Sequence, residues 1–575
     1  MRNGVDHAKM ESIFVCSHLF AVTFFVVAIF AVSGTVHAAF LERFISLRDF
    51  LILGVLSISV SISLLYFVCL RVQVRWEQLA FYGVMGFSLI FVVVVGYLTH
   101  GESIRGILLN DPSDVLMDFF NSVQYGRKPY AAMVIYPPLI NVFYGFLGRF
   151  MLIFHGDTGA LRCTQMGMLV FCFYLLIIYG TLSYLLVAMK KGCKNERILF
   201  LIAVLTSAPF LFAMDRANSV IMALLFLLLF LRYYQSDNTI LRFGSYVALA
   251  ISAGIKIAPA LFGILIIRSG DRRAVGSAML VGIGIFFFPF LLTDGNIFTM
   301  LNNITHTTNM QDVVIRDGVL MNIGQGSFVN TLSIFTAWGR ILNLNLSNIA
   351  ITLNQVLLLL GSLIGLFDKK MSMWKILALL SLIVVMVPGF SPLYNLVYLT
   401  IPLLYFLNDR PLFSKSNVLY CLLFIGIFVT GFNIRLPVFE IFQSDWRYMK
   451  LMTLIEGVCL ILMAIGLLCE GGYHLTRDYL QTRGGDRRLL WYRRLLGMAV
   501  VLMIATFRIY EMEQPIVSYY GANLRLINAG ENFGLRDGQY RGVEGGTASV
   551  RLMAAPIRKY GLVVSFPKNE LGQME

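Results

Sequence analysis

Runs of apolar residues, each about as long as a helix needs to cross a hydrocarbon core of about 30 Å, alternate along this chain with short polar or basic interruptions. Backbone groups in hydrocarbon need internal partners, so such runs are helices. The strict apolar/polar alternation of a membrane barrel is missing. The pattern predicts spans over roughly 12–34, 50–70, 78–98, 163–189, 197–214, 219–234, 274–292, 346–367, 374–388, 393–407, 417–433, 449–469 and 495–510. Two stretches allow two readings each. Residues 138–154 follow a pair of prolines and either lie along the surface or re-enter. Residues 243–267 are interrupted by Lys256 and Pro259, and form one kinked span or two half-helices. The expected fold is an all-α polytopic membrane bundle of about 13–15 transmembrane helices.

The segments between spans give the organisation. Residues 1–98 carry the N-terminal spans, 99–162 an outer loop with a surface helix, and 163–292 the core spans. Residues 293–345 form an outer loop rich in Asn, Thr and Gly, 346–510 carry the C-terminal spans, and 511–575 an extracytoplasmic tail. Alternation in Ala548–Met553 and Gly561–Phe566 predicts a small β-rich cap in that tail. The first apolar run has the position of a signal peptide but exceeds the usual length, and reads as a retained span.

Charge sets the orientation. Only 14% of residues are charged, yet the net charge is +14. The excess sits in short loops: Lys190-Lys191 with Lys194 and Arg197; Arg268 with Arg272-Arg273; Lys369-Lys370 with Lys375; and Arg477, Arg483, Arg487-Arg488 and Arg493-Arg494. These clusters are expected to be cytoplasmic. The N-terminus is then inside and the long loops outside, provided that 243–267 returns to the side it started from. Basic residues dispersed in this way exclude nucleic acid as a partner. Eight cysteines without a CxxC read as small buried hydrophobes, and seven scattered histidines form no zinc motif. There is no GxxxxGK[ST] loop, so energy for any chemistry has to arrive with an activated substrate.

Asp111, Asp114 and Asp118 lie within eight residues just beyond the third span. In a helix Asp114 and Asp118 share a face, and Asp111, ahead of Pro112, can cap it. These acids are either a general base at the membrane surface or solvated loop carboxylates and caps. Tyr136-Pro137-Pro138-Leu139 starts a helix at the interface. Lys256 is flanked by apolar residues, which makes it either a phosphate-binding ammonium or a snorkelling lysine. In the turn Asp215-Arg216-Ala217-Asn218, Arg216 can meet a phosphate, the Asp loop, or its neighbour Asp215. Asn218 can meet a sugar hydroxyl. Pro388–Asn395 breaks the apolar pattern with two prolines and either lines a polar space or makes a turn.

Four of these features occur in order: the acidic loop followed by Gly126-x-x-Pro129-Tyr130, the Tyr-Pro-Pro-Leu at 136–139, the Arg-x-Asn at 216–218, and the Lys-x-x-Pro at 256–259. Together they resemble the GT-C superfamily of membrane glycosyltransferases, closest to the polyprenol-phosphate-mannose-dependent mannosyltransferases of glycosyltransferase family 87. The likeness covers roughly residues 80–400. It implies an inverting transfer of mannose or another sugar on the outer face of the cytoplasmic (inner) membrane, with the active site toward the periplasm or exterior. The donor is a polyprenyl-phosphate sugar and the acceptor an envelope glycan or glycolipid.

By the same resemblance the catalytic base is Asp118 or Asp114, with Asp118 favoured because it heads Asp-Phe-Phe-Asn. Lys256 and Arg216 hold the departing phosphate. Asn218, Tyr130, Tyr136, Asn121 and Tyr394 are the substrate-contacting candidates. No cofactor is implied, and a divalent metal has no support in the sequence. Two other classes compete: a transporter or flippase for a lipid-linked sugar, and a lipid-diphosphate-dependent polysaccharide polymerase or ligase. The arginine-rich outer loop expected of the latter is reduced here to Arg316 and Arg340.

Overall fold

The computed structural model describes residues 76–98, 116–152, 164–316, 329–341, 346–389, 391–409, 415–430 and 451–481, together with four short strands between 528 and 551. Among them are seventeen α-helices. In chain order these are α1 (Trp76–Leu98), α2 (Met117–Tyr125), α3 (Pro138–Leu152), α4 (Gln165–Met189), α5 (Lys194–Leu205), α6 (Ala208–Arg216), α7 (Val220–Tyr233), α8 (Thr239–Ile255), α9 (Ile264–Ser269) and α10 (Arg272–Phe287). They continue with α11 (Ile297–Arg316), α12 (Thr331–Ile341), α13 (Ser347–Phe367), α14 (Met373–Met386), α15 (Thr400–Asn408), α16 (Lys415–Phe428) and α17 (Leu451–Gln481). Single 3-10 turns at Ala258–Gly263, Phe288–Leu292 and Leu393–Leu399 precede or follow α9, α10 and α15.

The protein is membrane-embedded. Among the described residues four helices are long and apolar enough to cross, and a fifth span results if α5 and α6, bent by 56° at their junction, count as one. The outward faces of α4 and α10 are greasy. Leu176 is 70% exposed and Leu280 75%, surfaces that hydrocarbon suits and water does not. Inside the ring, α7 and α14 are apolar and buried almost all round, as core helices are. At 14 residues each they are about 21 Å long, too short to span alone. The spans expected at 219–234, 374–388, 393–407 and 417–433 are therefore shorter apolar helices, and those at 12–34, 50–70 and 495–510 lie outside the described residues.

The 243–267 stretch behaves as two half-helices. Leu241 at its start and Leu265 and Arg268 at its end line one and the same cavity, so the chain returns to the side it left. Pro259 lacks the N–H that a continuing helix needs, and α8 ends at Ile255 with Lys256 at the turning point. Three of the four basic clusters gather at the end to which the hairpin returns. The Lys191 N–H donates to Asn408, whose amide donates to the Met189 carbonyl. Arg268 donates to the Gly365 carbonyl, and Tyr405 lines the cavity beside Arg268 and Met373.

Two expectations change. The polar 293–345 segment holds α11 and α12. Low hydropathy hid α11, which starts after Asn296, an acceptor for the Thr299 N–H. The β-rich cap is not supported: the tail's described residues form only two separate two-stranded ladders of two to five residues per strand, less than a sheet needs to stand alone.

A buried ion pair fastens the basic end. Lys190 is 1% exposed and donates to Glu196 and to the Lys191 carbonyl. Glu196 also accepts from Gln78 on α1 at 2.7 Å. Removing one member of such a pair strands a charge. Glu196→Ala is expected to cost about 3 kcal/mol in unfolding of the detergent-solubilised protein, and Lys190→Met added to it is expected to restore part of the loss. A Glu196→Ala protein as stable as the parent would refute the pairing.

Candidate active site

Asp118 stands in the first turn of α2, where the helix dipole favours a carboxylate. The next two residues anchor it. Phe119 is fully buried and its ring meets those of Phe120, Tyr144, Phe171 and Tyr174 at 4.9–5.7 Å. The helix starts at Met117 behind Leu116, which takes the left-handed conformation at φ 59°. The Leu116 N–H donates to the Asp215 carbonyl at 2.7 Å. Asp114 and the proposed cap Asp111 lie outside the described residues.

α2 lies unusually close to α3. A Cβ on Gly145 would sit 2.6 Å from the Gly126 carbonyl oxygen, and one on Gly148 would sit 2.8 Å from that of Val123. Small residues let two backbones approach this far in a membrane protein. The approach draws Asp118 toward the turn at 215–218.

There the carboxylate is gripped from both sides. Arg216 Nη2 donates to Oδ1 at 2.6 Å and Asn218 Nδ2 to Oδ2 at 2.7 Å. Arg216 and Asp118 side chains are each 14% exposed. Asn218 is buried and its own oxygen accepts the Val220 N–H at 2.9 Å, which ties the turn to the start of α7. Ala217 adopts φ 51° so that Arg216 and Asn218 flank one target. Of the partners open to Arg216 in sequence, the Asp loop is one that it meets.

Lys256 enters from the hairpin apex. Ser252 fastens α8 to α7 through the Ala223 carbonyl, 2.7 Å away. Lys256 Nζ lies 4.1 Å from the centre of the Tyr136 ring and 5.6 Å from that of Tyr394, within the range of cation–π attraction. Asp118 and Lys256 are close enough to interact electrostatically. Among the described residues no carboxylate forms an ion pair with Lys256, so aromatic faces hold its ammonium. Burial first, and the Asp118 carboxylate second, push the Tyr136 phenol well above its ordinary value, so it remains a proton donor at neutral pH.

Asp118, Tyr136, Arg216 with Asn218, Lys256 and Tyr394 thus converge from five separate parts of the chain. Tyr130 and Asn121 have other situations. Tyr130 is 2% exposed, stacks on Phe290, and donates its hydroxyl to the Tyr136 carbonyl at 3.2 Å. That carbonyl also accepts from Asn141 at 3.0 Å. Tyr130 therefore braces the loop that carries Tyr136. Asn121 is partly buried on α2, one turn beyond Asp118.

Sequence reasoning missed two supports. Asp294 accepts the N–H groups of Tyr130 and Ala131 at 3.1 and 2.9 Å, and buried Asn303 donates to the Tyr130 carbonyl at 3.1 Å. Thr293-Asp294-Gly295 reads as a turn signal, which says nothing of a partner 164 residues away. No group of His, Cys, Asp and Glu among the described residues has a metal-holding arrangement.

Residues 135–392 match the model of Glycosyltransferase family 87. That stretch holds Tyr136, Arg216, Asn218 and Lys256, while Asp118 lies just before it. No curated protein and no solved structure matches the chain.

The glycine contact gives a test of how Asp118 is placed. Gly145→Ala forces α2 and α3 apart and is expected to destabilise the protein by about 1–3 kcal/mol. Sugar transfer should fall with it, because Asp118 is carried away from Arg216. Unchanged thermal unfolding and unchanged transfer would mean that the close approach does not position the acid.

Proposed function

Starting from a chain that is a glycosyltransferase, similar over residues 135–392 to family 87, we propose that it moves a sugar from a polyprenyl-monophosphate donor to a glycan or glycolipid hydroxyl, with inversion. Asp118 is the general base. The acceptor oxygen attacks the anomeric carbon while its proton passes to Asp118. The bond from that carbon to the phosphate oxygen breaks, and the electron pair leaves with the lipid phosphate. Each carboxylate oxygen has two lone pairs, so bonds from Arg216 and Asn218 orient the base and leave acceptor capacity for the incoming proton.

The observation that carries this reading is that Asp118, gripped by Arg216 and Asn218, and Lys256, seated on the Tyr136 and Tyr394 rings, meet at the start of α7 although 138 positions apart in sequence. Lys256, between Tyr136 and Tyr394, is the counter-charge for the leaving phosphate. Its two aromatic walls suit a sugar ring face and the first units of a prenyl chain. Arg216 stands next to the same carboxylate and supplies a second cation once donor phosphate is present. Asn218, the other donor to Asp118, is the candidate for a sugar hydroxyl. A single ammonium with one nearby arginine fits one phosphate better than the greater charge of a diphosphate.

The site lies at the start of α7, and the basic clusters lie at the end of that helix. With basic loops cytoplasmic, the reaction faces the exterior of the cell membrane. Because no nucleotide loop is found, the lipid-linked donor brings the free energy.

Asp118→Asn keeps the shape and the hydrogen bond to Arg216 but removes the base. It is expected to lower kcat by about 10²–10⁴-fold in liposomes supplied with polyprenyl-monophosphate sugars. Because Arg216 loses its counter-charge, the unfolding temperature is expected to fall as well, so transfer is measured below the temperature at which the variant begins to unfold. Lys256→Gln is expected to cost about 10²-fold in kcat/KM. Transfer at the parental rate by Asp118→Asn would remove Asp118 from the chemistry. Turnover of diphosphate donors in preference to monophosphate would move the protein to the polymerase or ligase class.

A further inference from the structure

A second cavity lies at the opposite end of α7. It encloses about 610 Å³ between the C-terminal ends of α7, α9 and α15, the start of α8 and the start of α14. Two arginines line it, Arg232 and Arg268, with Tyr234, Tyr405, Ser236 and Ser269 around them, and no acidic residue is among its lining. One guanidinium nitrogen of Arg232, Nη1, is buried and has no hydrogen-bond partner. The described contact of Arg232 is with the face of the Tyr233 ring, 5.3 Å away. Arg268 uses one nitrogen on the Gly365 carbonyl at 3.2 Å and keeps its other donors.

The simple explanation for arginines in last helical turns is the helix dipole, roughly half a negative charge at each C-terminus. Those dipoles, with Asp368 within electrostatic reach of Arg268, account for the charges, but they give no hydrogen-bond acceptor to the buried Arg232 nitrogen. A buried N–H without an acceptor costs about 1–3 kcal/mol. An anion that accepted from Arg232 would remove that cost.

We propose that this cavity is a binding site for a phosphate group, seated on the face opposite the transfer site and independent of the reaction proposed above. A bidentate guanidinium with phenol and serine donors nearby is the arrangement that recognises phosphate oxygens. Leu241 lines the cavity, and its neighbours Ile240 and Phe243 are 81% and 49% exposed. An acyl chain lying on that side of α8 would reach the cavity with its head group, as an anionic phospholipid of the cytoplasmic leaflet does. A free phosphate shares the chemistry and lacks the chain.

The test uses the full chain in nanodiscs of phosphatidylglycerol or phosphatidylcholine, with retained lipid read by native mass spectrometry and stability by thermal unfolding. Inorganic phosphate is added in a separate arm. Both head groups carry the phosphodiester, but the choline cation of phosphatidylcholine is repelled by Arg232 and Arg268, so the parent protein is expected to retain phosphatidylglycerol over phosphatidylcholine by about tenfold. Arg232→Gln should abolish that preference, while Arg232→Lys should keep the fold and part of the preference. Asp118→Asn should leave it unchanged. Stabilisation by inorganic phosphate that Arg232→Gln removes, without a lipid preference, would assign the site to a soluble phosphate. No lipid preference and no phosphate effect in the parent protein, or effects equal in parent and Arg232→Gln, would overturn the proposal.

Discussion

The ion pair between Asp118 and Arg216, completed by Asn218, is the contact on which the site depends. It joins positions 98 and 100 residues apart and sits where water is scarce. A charge stranded there by loss of its partner costs about 3–5 kcal/mol, so α2 and the 215–218 turn stay together only as a pair. Other features are arranged to permit the contact: the glycine approach of α2 to α3, the left-handed Leu116 and Ala217, and the aromatic seat under Phe119. Left-handed backbone at two non-glycine positions costs about 1–3 kcal/mol each, which the contacts around the carboxylate have to offset. The pair is therefore a structural clasp that also fixes the orientation of the Asp118 carboxylate.

A second constraint acts on Lys256. A lysine at membrane depth is costly unless its surroundings stabilise the charge. The chain meets that cost by breaking the helix at Lys256, turning on Pro259, and covering the ammonium with Tyr136 and Tyr394. Irregular backbone at such depth is tolerated where protein covers it or a cavity adjoins it. The break and the charge thus explain each other: the proline provides the apex, and the apex delivers the lysine to the acid.

Much of this was legible in the sequence, for reasons that differ by residue. Lys256 showed itself because one cation in an apolar run breaks a strong pattern. The hairpin followed from Pro259 and from the charge of the loops on either side. Asp118 could be narrowed to an acidic loop, but its partner could not be read. Arg216 stands next to Asp215, and local pairing was the simpler expectation. Only the fold, by turning Ala217 into the left-handed region, sends Arg216 toward α2. Tyr130 was marked by its motif as a substrate contact, whereas the structure uses it under Tyr136. Asp294 and Asn303 were hidden in a segment whose polarity resembled a loop. Side chains that serve distant backbone carry no periodic signal. The span expected at 197–214 covers two helices because hydropathy integrates across the break before Pro209, which separates α5 from α6.

The distribution of buried charge bears on how the site holds its shape. Two groups of buried or half-buried charges lie at opposite ends of α7. Asp118, Arg216 and Lys256 lie near the start of α7; Lys190, Arg232, Arg268 and Asp368 lie where α4, α7, α9 and α13 end. Between the ends, α7 presents Leu224, Leu227 and Leu228 and α14 presents Ile376, Leu379 and Leu380, all fully buried. The hydroxyl of Ser252 in this layer is closed on the Ala223 carbonyl, and that of Ser381 on the Tyr398 carbonyl. Beside them the hydroxyls of Tyr398 and Thr400 are buried without a hydrogen-bond partner among the described residues, so the layer is mainly, not wholly, apolar. Interlocked apolar side chains of this kind resist sliding. They hold the turn that grips Asp118 and the hairpin apex that carries Lys256 at fixed positions, by preventing the helices between them from moving apart.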